Sequence, residues 1–86
     1  MLLKLLTPTQ TLYHDQVLMV QVPGSKGSFE ILENHAPIIS TLENGRIKVI
    51  DYQKVTHYFD ITSGILECKM NTVVILAENG SQAQMK

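Results

Sequence analysis

The chain carries three histidines (His14, His35 and His57), one cysteine (Cys68), and a glycine-bounded loop, Gly24-Ser25-Lys26-Gly27. These are the side chains and turns that could do chemistry. A structural zinc site needs Cys or His ligands at short, regular spacing. The three histidines share no such spacing, and Cys68 stands alone. A nucleophilic thiol needs a nearby cation or helix end to lower its pKa. The strand neighbours that share a face with Cys68 are Leu66 and Met70, so it reads as a small core hydrophobe. His57 lies between Val55 and Phe59 on an otherwise apolar face and reads as a half-buried, satisfied histidine. Glu30 and Glu33 are three apart, which on a strand points them to opposite faces. They therefore cannot work as a paired acid and base. The Gly24–Gly27 loop lacks the following helix whose N-terminus would cradle a phosphate. It reads as a turn. Neither a dinucleotide fingerprint nor a P-loop occurs. These residues imply no catalytic site, no metal and no cofactor.

The elements that position these residues are short and alternate apolar with polar. Segments 1–6, 17–22, 29–32, 38–42, 46–50, 55–62, 65–70 and 72–77 read as strands, with a short piece at 11–13. Thr7-Pro8, residues 23–27, Asp51 to Lys54 and Asn71 supply turns. Asn44-Gly45 between two apolar runs predicts a type I′ hairpin joining 38–42 to 46–50. No segment holds a helical period for ten residues. The pattern predicts an all-β fold, a small antiparallel β-sandwich of about ten short strands. The sandwich spans residues 1–78, and 79–86 form a polar, frayed C-terminal tail.

With 86 residues there is room for one domain. Seven basic and eight acidic residues give a net charge of −1, without the basic excess of a nucleic-acid binder. No apolar run approaches the ~20 residues that span a bilayer. The start, M-L-L-K-L-L, has a lysine and no cleavage site, so it does not read as a signal peptide. A lone cysteine excludes an internal disulfide and fits a reducing, cytosolic-side compartment. One irregularity bears on function. Segments 72–77 and 1–6 are apolar on both faces, Lys4 excepted, whereas a solvated antiparallel sheet should alternate. Two-sided apolar strands imply that something covers their outer face.

Residues 20–42 read V-Q-V-P-G-S-K-G-S-F-E-I-L-E-N-H-A-P-I-I-S-T-L. A histidine ahead of Ala-Pro, between two strands, has no evident packing role. Here the chain resembles the epsilon subunit of F-type ATP synthases. Gly24, Gly27, Ile31, His35, Ala36 and Pro37 match that family's glycine-rich H-A-P pattern in order and spacing. I-T-S-G-I-L-E-C at 61–68 and T-V-V-I-L-A-E at 72–78 resemble its later strands, so the likeness covers nearly the whole chain. Glu30 departs from a usual glycine, Leu32-Glu33-Asn34 from a common proline and glycine, and Ser63 from the first of two glycines. The family commonly continues into a C-terminal helical hairpin, and this chain stops within nine residues of its last strand. The resemblance implies the sandwich domain of that subunit without the hairpin, in one copy per complex at the foot of the rotor. It implies a non-catalytic part that joins the gamma subunit to the c-ring and so couples proton translocation to ATP synthesis. Ser25, Lys26, Gly27, Ser28, Phe29 and Glu30 are then expected to face the c-ring, and His35, Ala36 and Ser40 the gamma subunit. The expected location is peripheral, on the cytoplasmic face of a bacterial inner membrane. The alternative is a small free-standing β-barrel ligand binder, which five aromatic residues (three Tyr, two Phe) line poorly.

Overall fold

The structure is a computed structural model that describes residues 1–83. Among these residues there are nine strands and no helix: β1 (Leu2–Leu6), β2 (Thr11–Gly24), β3 (Gly27–Leu32), β4 (Ile38–Leu42), β5 (Gly45–Asp51), β6 (Thr56–Ile61), β7 (Gly64–Lys69), β8 (Thr72–Ala77) and β9 (Gly80–Ala83). Two layers face each other across one core. The first runs β4-β7-β8-β1 and ends on the N-terminal half of β2. The second runs β3, the C-terminal half of β2, β5, β6, β9. Because β2 belongs to both, the sandwich is a single hydrogen-bonded sheet folded on itself.

The fold in β2 has a local cause. Its register against β5 slips between Val17 and Met19. A bulge of this kind bends a strand and changes which residues point inward. Val17 is buried ahead of the slip, and Val20 and Val22 are buried after it. The pieces expected at 11–13 and 17–22 are therefore one bent strand, and with residues 80–83 as a further strand the count is nine. The core draws Leu3, Leu5, Leu66, Val73 and Ile75 from the first layer and Val20, Val22, Ile31, Ile47, Val49 and Phe59 from the second. Full burial of such side chains contributes ~1.5–3 kcal/mol each.

Three expectations need correction. Asn44-Gly45 does not close a hairpin, because β4 pairs with β7 while β5 pairs with β2 and β6. The dipeptide carries the chain from one layer to the other, and neither residue has a positive φ. Glycine is needed at 45 for room: a Cβ there would lie 2.8 Å from Pro23 Cβ. The type I′ geometry occurs between β7 and β8, where Lys69 pairs with Thr72 and the two loop residues, Met70 and Asn71, have φ of 50° and 58°. Met70 is thereby turned out of the face that Cys68 shares with Leu66 and is 90% exposed. Finally, residues 80–83 extend the sheet as β9 on β6, where a polar tail was expected. An edge strand is held by backbone hydrogen bonds, so polar side chains leave no alternation to read. Residues 84–86 of that tail lie outside the described residues.

Candidate functional site

The two outer faces differ in chemistry. In the first layer the cross-strand rows run Thr41–Ile65–Leu76–Leu6 and Ile39–Glu67–Val74–Lys4. These side chains point outward, since their strand neighbours Leu66, Cys68, Val73, Ile75, Leu3 and Leu5 are buried. Ile39, Ile65 and Leu76 are 69%, 44% and 52% exposed. With Val74 and the aliphatic part of Glu67 they line a shallow depression. The strands with failed alternation, 1–6 and 72–77, are thus neighbours in space, paired in parallel. No loop among the described residues shields Leu76.

The second outer face is polar over much of its area, beside one apolar row, Leu32–Met19–Ile50, in which Leu32 is exposed. Its rows include Glu30–Gln21–Lys48–Tyr58 and the Arg46–Asp60 pair. The Arg46 guanidinium donates to both carboxylate oxygens of Asp60, at 2.9 and 3.2 Å, and stacks 5.7 Å from the Tyr58 ring. That donation holds the Asp60 carboxyl below its usual range. Exposed pairs of this kind contribute under about 1 kcal/mol.

The two expected contact segments lie at opposite ends of the sandwich, separated by β3, about 20 Å of strand. At one end is the β2–β3 hairpin tip. Ser25, Lys26, Gly27, Ser28 and Glu30 are exposed there, while Phe29 turns inward and packs against the core. Gly27 takes a φ of 124°, which only glycine adopts without strain. Ser25 is tied to β4, its N–H donating to the Thr41 carbonyl at 3.0 Å and its Oγ accepting from Thr41 Oγ1 at 2.9 Å. A groove between this hairpin and β4 is lined by Ser25, Phe29, Ile38 and Ser40. Ser40 lies on the inward-facing side of β4 with Ile38 and Leu42, and its Oγ donates to the Thr41 carbonyl. The structure therefore places Ser40 with the hairpin residues and apart from His35 and Ala36.

At the other end is the H-A-P loop. His35 N–H donates to the Leu32 carbonyl at 3.1 Å, closing a turn in which Asn34 has a φ of 60°. Asparagine tolerates this left-handed region better than most residues. His35 Nδ1 lies 2.7 Å from the Ala36 carbonyl oxygen. Glu33 is the hub of this end. Its carboxylate receives the Met1 amine, Asn71 Nδ2 at 3.0 Å and the Tyr52 hydroxyl at 3.2 Å. The amine and the Asn71 amide hold its pKa below the ordinary carboxylate value. Nothing in the spacing announced this hub, because its partners come from the N-terminus and two distant turns. A pocket between Pro37, Ile39, Glu67 and Lys69 joins the loop to the apolar outer face.

No reactive constellation appears among the described residues. His57 Nε2 bonds Asp51 Oδ2 at 2.8 Å, and its ring packs on Tyr13. Asp51 also accepts from the N–H groups of Gln53 and Val55, so it caps its own turn. His57 is the satisfied histidine that its flanking residues indicated. Burial raises the Cys68 thiol pKa, which makes it a poorer nucleophile. No group of three metal-ligating side chains converges among the described residues. The space between the layers is filled by core side chains, which leaves the ligand-binder alternative without support.

Comparison with known proteins agrees with this architecture. Residues 1–83 match the family described as ATP synthase, Delta/Epsilon chain, beta-sandwich domain. An ATP synthase epsilon chain of Caulobacter vibrioides is 39% identical over 79 residues, covering 92% of this chain and 91% of that one. One of Protochlamydia amoebophila is 38% identical over 78 residues, covering 88% of this chain and 52% of that one. This chain therefore spans about half the length of some relatives and nearly all of another. A chain from the Euglena gracilis mitochondrial ATP synthase structure (OSCP/F1/c-ring) superposes with a TM-score of 0.87 at 17% identity, over 93% of this chain and 51% of that one. A chain from the Tetrahymena thermophila mitochondrial ATP synthase central stalk and c-ring gives 0.78 at 20% identity, over 93% and 64%. At these identities the likeness is one of fold.

Proposed function

This chain belongs to the ATP synthase delta/epsilon-chain β-sandwich family, and we propose that it works as the epsilon subunit of the central stalk. It joins the gamma subunit to the c-ring, so that rotation driven by proton translocation reaches the catalytic head. It holds its partners and performs no reaction itself. It sits at the membrane only through the ring, on the cytoplasmic face of a bacterial inner membrane.

The observation that carries this reading is the uncovered apolar face of β4-β7-β8-β1. Among the described residues Ile39, Ile65 and Leu76 have no partner large enough to shield them, as expected of a surface completed by another subunit. Gamma covers this face and extends over His35 and Ala36 through the pocket at Pro37. The opposite end, with Ser25, Lys26, Gly27, Ser28 and Glu30, meets the polar loops of the c-ring. Ser40 and Phe29 line the groove behind that tip and support it. Mixing the chain with gamma should give a stoichiometric complex by gel filtration. Hydrogen exchange in 1–6 and 72–77 should slow in that complex. A complex that leaves exchange in both segments unchanged would place gamma elsewhere.

A further inference from the structure

We propose that the apolar outer face pairs with the same face of a second copy whenever no other partner occupies it. The inference does not depend on the stalk reading. It rests on the symmetry of charge in one row. Glu67 on β7 and Lys4 on β1 lie one strand to either side of Val74 on β8. A two-fold axis lying in the interface along β8 sets each Glu67 against the partner's Lys4. The same operation sets Ile65 against the partner's Leu6, and Leu76 against the partner's Leu76. An axis running across the strands through this row would instead stack Glu67 on the partner's Glu67 and Lys4 on the partner's Lys4. Charge therefore selects the axis along β8. Lys69 Nζ reaches Glu67 at only 3.9 Å, with both side chains exposed, so Glu67 remains open to a second cation.

The area sets the strength. Four strands about 4.8 Å apart give a face ~19 Å wide on a molecule 24–27 Å across. Pairing two such faces buries on the order of 1,000 Å², at the low end of specific interfaces. The dimer is weak and concentration-dependent, with a Kd on the order of 10–100 µM. A better-fitting partner displaces it, so it keeps Ile65 and Leu76 out of water before assembly.

Sedimentation of the whole chain across that concentration range tests the idea. A monomer–dimer equilibrium is expected. Lys4→Glu or Glu67→Lys alone should weaken it at least about tenfold, and the double charge swap should restore it. Thermal unfolding identical to wild type separates this effect from misfolding. A chain that stays monomeric throughout the range overturns the proposal. So does association that ignores both single reversals, or a double swap that fails to restore it. Gamma binding is scored separately by gel filtration. A monomer that binds gamma defeats only the dimer, and a dimer that ignores gamma defeats only the stalk reading.

Discussion

The two outer faces of this molecule come from the same kind of strand and end in opposite chemistry. On β3-β2-β5-β6 the outward positions include Glu30, Gln21, Lys48, Tyr58 and Asp60, with a single apolar row of Leu32, Met19 and Ile50; on β4-β7-β8-β1 they include Ile39, Ile65, Val74 and Leu76. Both layers contribute to one core, so the difference between their outer faces is not set by the inward positions that fold the free chain. It shows that a residue's value to the fold and its value to the assembly separate at a single strand. Ile75 is fully buried while Leu76, the next residue of β8, is half exposed.

That separation can be broken by experiment, and the largest effect concerns this adjacent pair. Ile75→Ala should destabilise the free chain by ~3 kcal/mol through lost burial and the cavity left behind. Leu76→Ala should cost under ~1 kcal/mol, because its outer half already meets water. Denaturant unfolding midpoints measure both, and equal losses would mean that the outer face is a hidden second core. The order should reverse for partner binding. Leu76→Asp or Ile65→Asp should lower gamma affinity by ~30–100-fold, a desolvation and clash effect of ~2–3 kcal/mol. Lys48→Glu on the polar face should change it less than about twofold by titration calorimetry.

Acid sharpens the contrast further. The three carboxylates held below their ordinary pKa, Asp51, Asp60 and Glu33, lie off the apolar face. For Asp51 the largest cause is the hydrogen bond from His57, followed by the Val55 N–H. Its folded pKa is depressed, so its contribution is full above the unfolded carboxylate pKa and disappears as pH falls through the folded value. Asp51→Asn should therefore be less stable than wild type at neutral pH. The gap should close on acidification below the ordinary carboxylate range, as read from unfolding midpoints across a pH series. A further small effect on stability is expected at the end of the apolar face. Met70 holds a φ of 50°, which a non-glycine residue adopts at some cost. Met70→Asn should raise stability by ~0.5–1 kcal/mol, seen as a small rise in Tm, with gamma binding unaltered.

The all-β class was legible in short alternating runs, and the inert characters of Cys68 and His57 in the residues flanking them. The H-A-P pattern marked the loop at one end and the glycines the hairpin at the other. The pairing was not legible. Asn44-Gly45 carries the strongest hairpin signal in the chain and yet joins two layers, because neighbours in sequence specify a turn but not which edge each strand finds. Met70-Asn71 carries a weaker signal and makes the true type I′ turn, since β7 and β8 are already held in register by Leu66, Cys68, Val73 and Ile75 in the core.

What the amino-acid sequence determined by itself is local: which residues alternate, where the chain turns, and that two segments fail to alternate. Period-two patterning is a property of a few consecutive residues and needs no partner. What the tertiary structure alone decided is adjacency. It set β1 parallel to β8 from opposite ends of the chain, gathered Ile39 and Ile65 beside them, and drew the Met1 amine, Tyr52 and Asn71 onto Glu33. Such contacts depend on hydrogen-bonded edges and core packing across dozens of residues, and linear spacing carries no record of them.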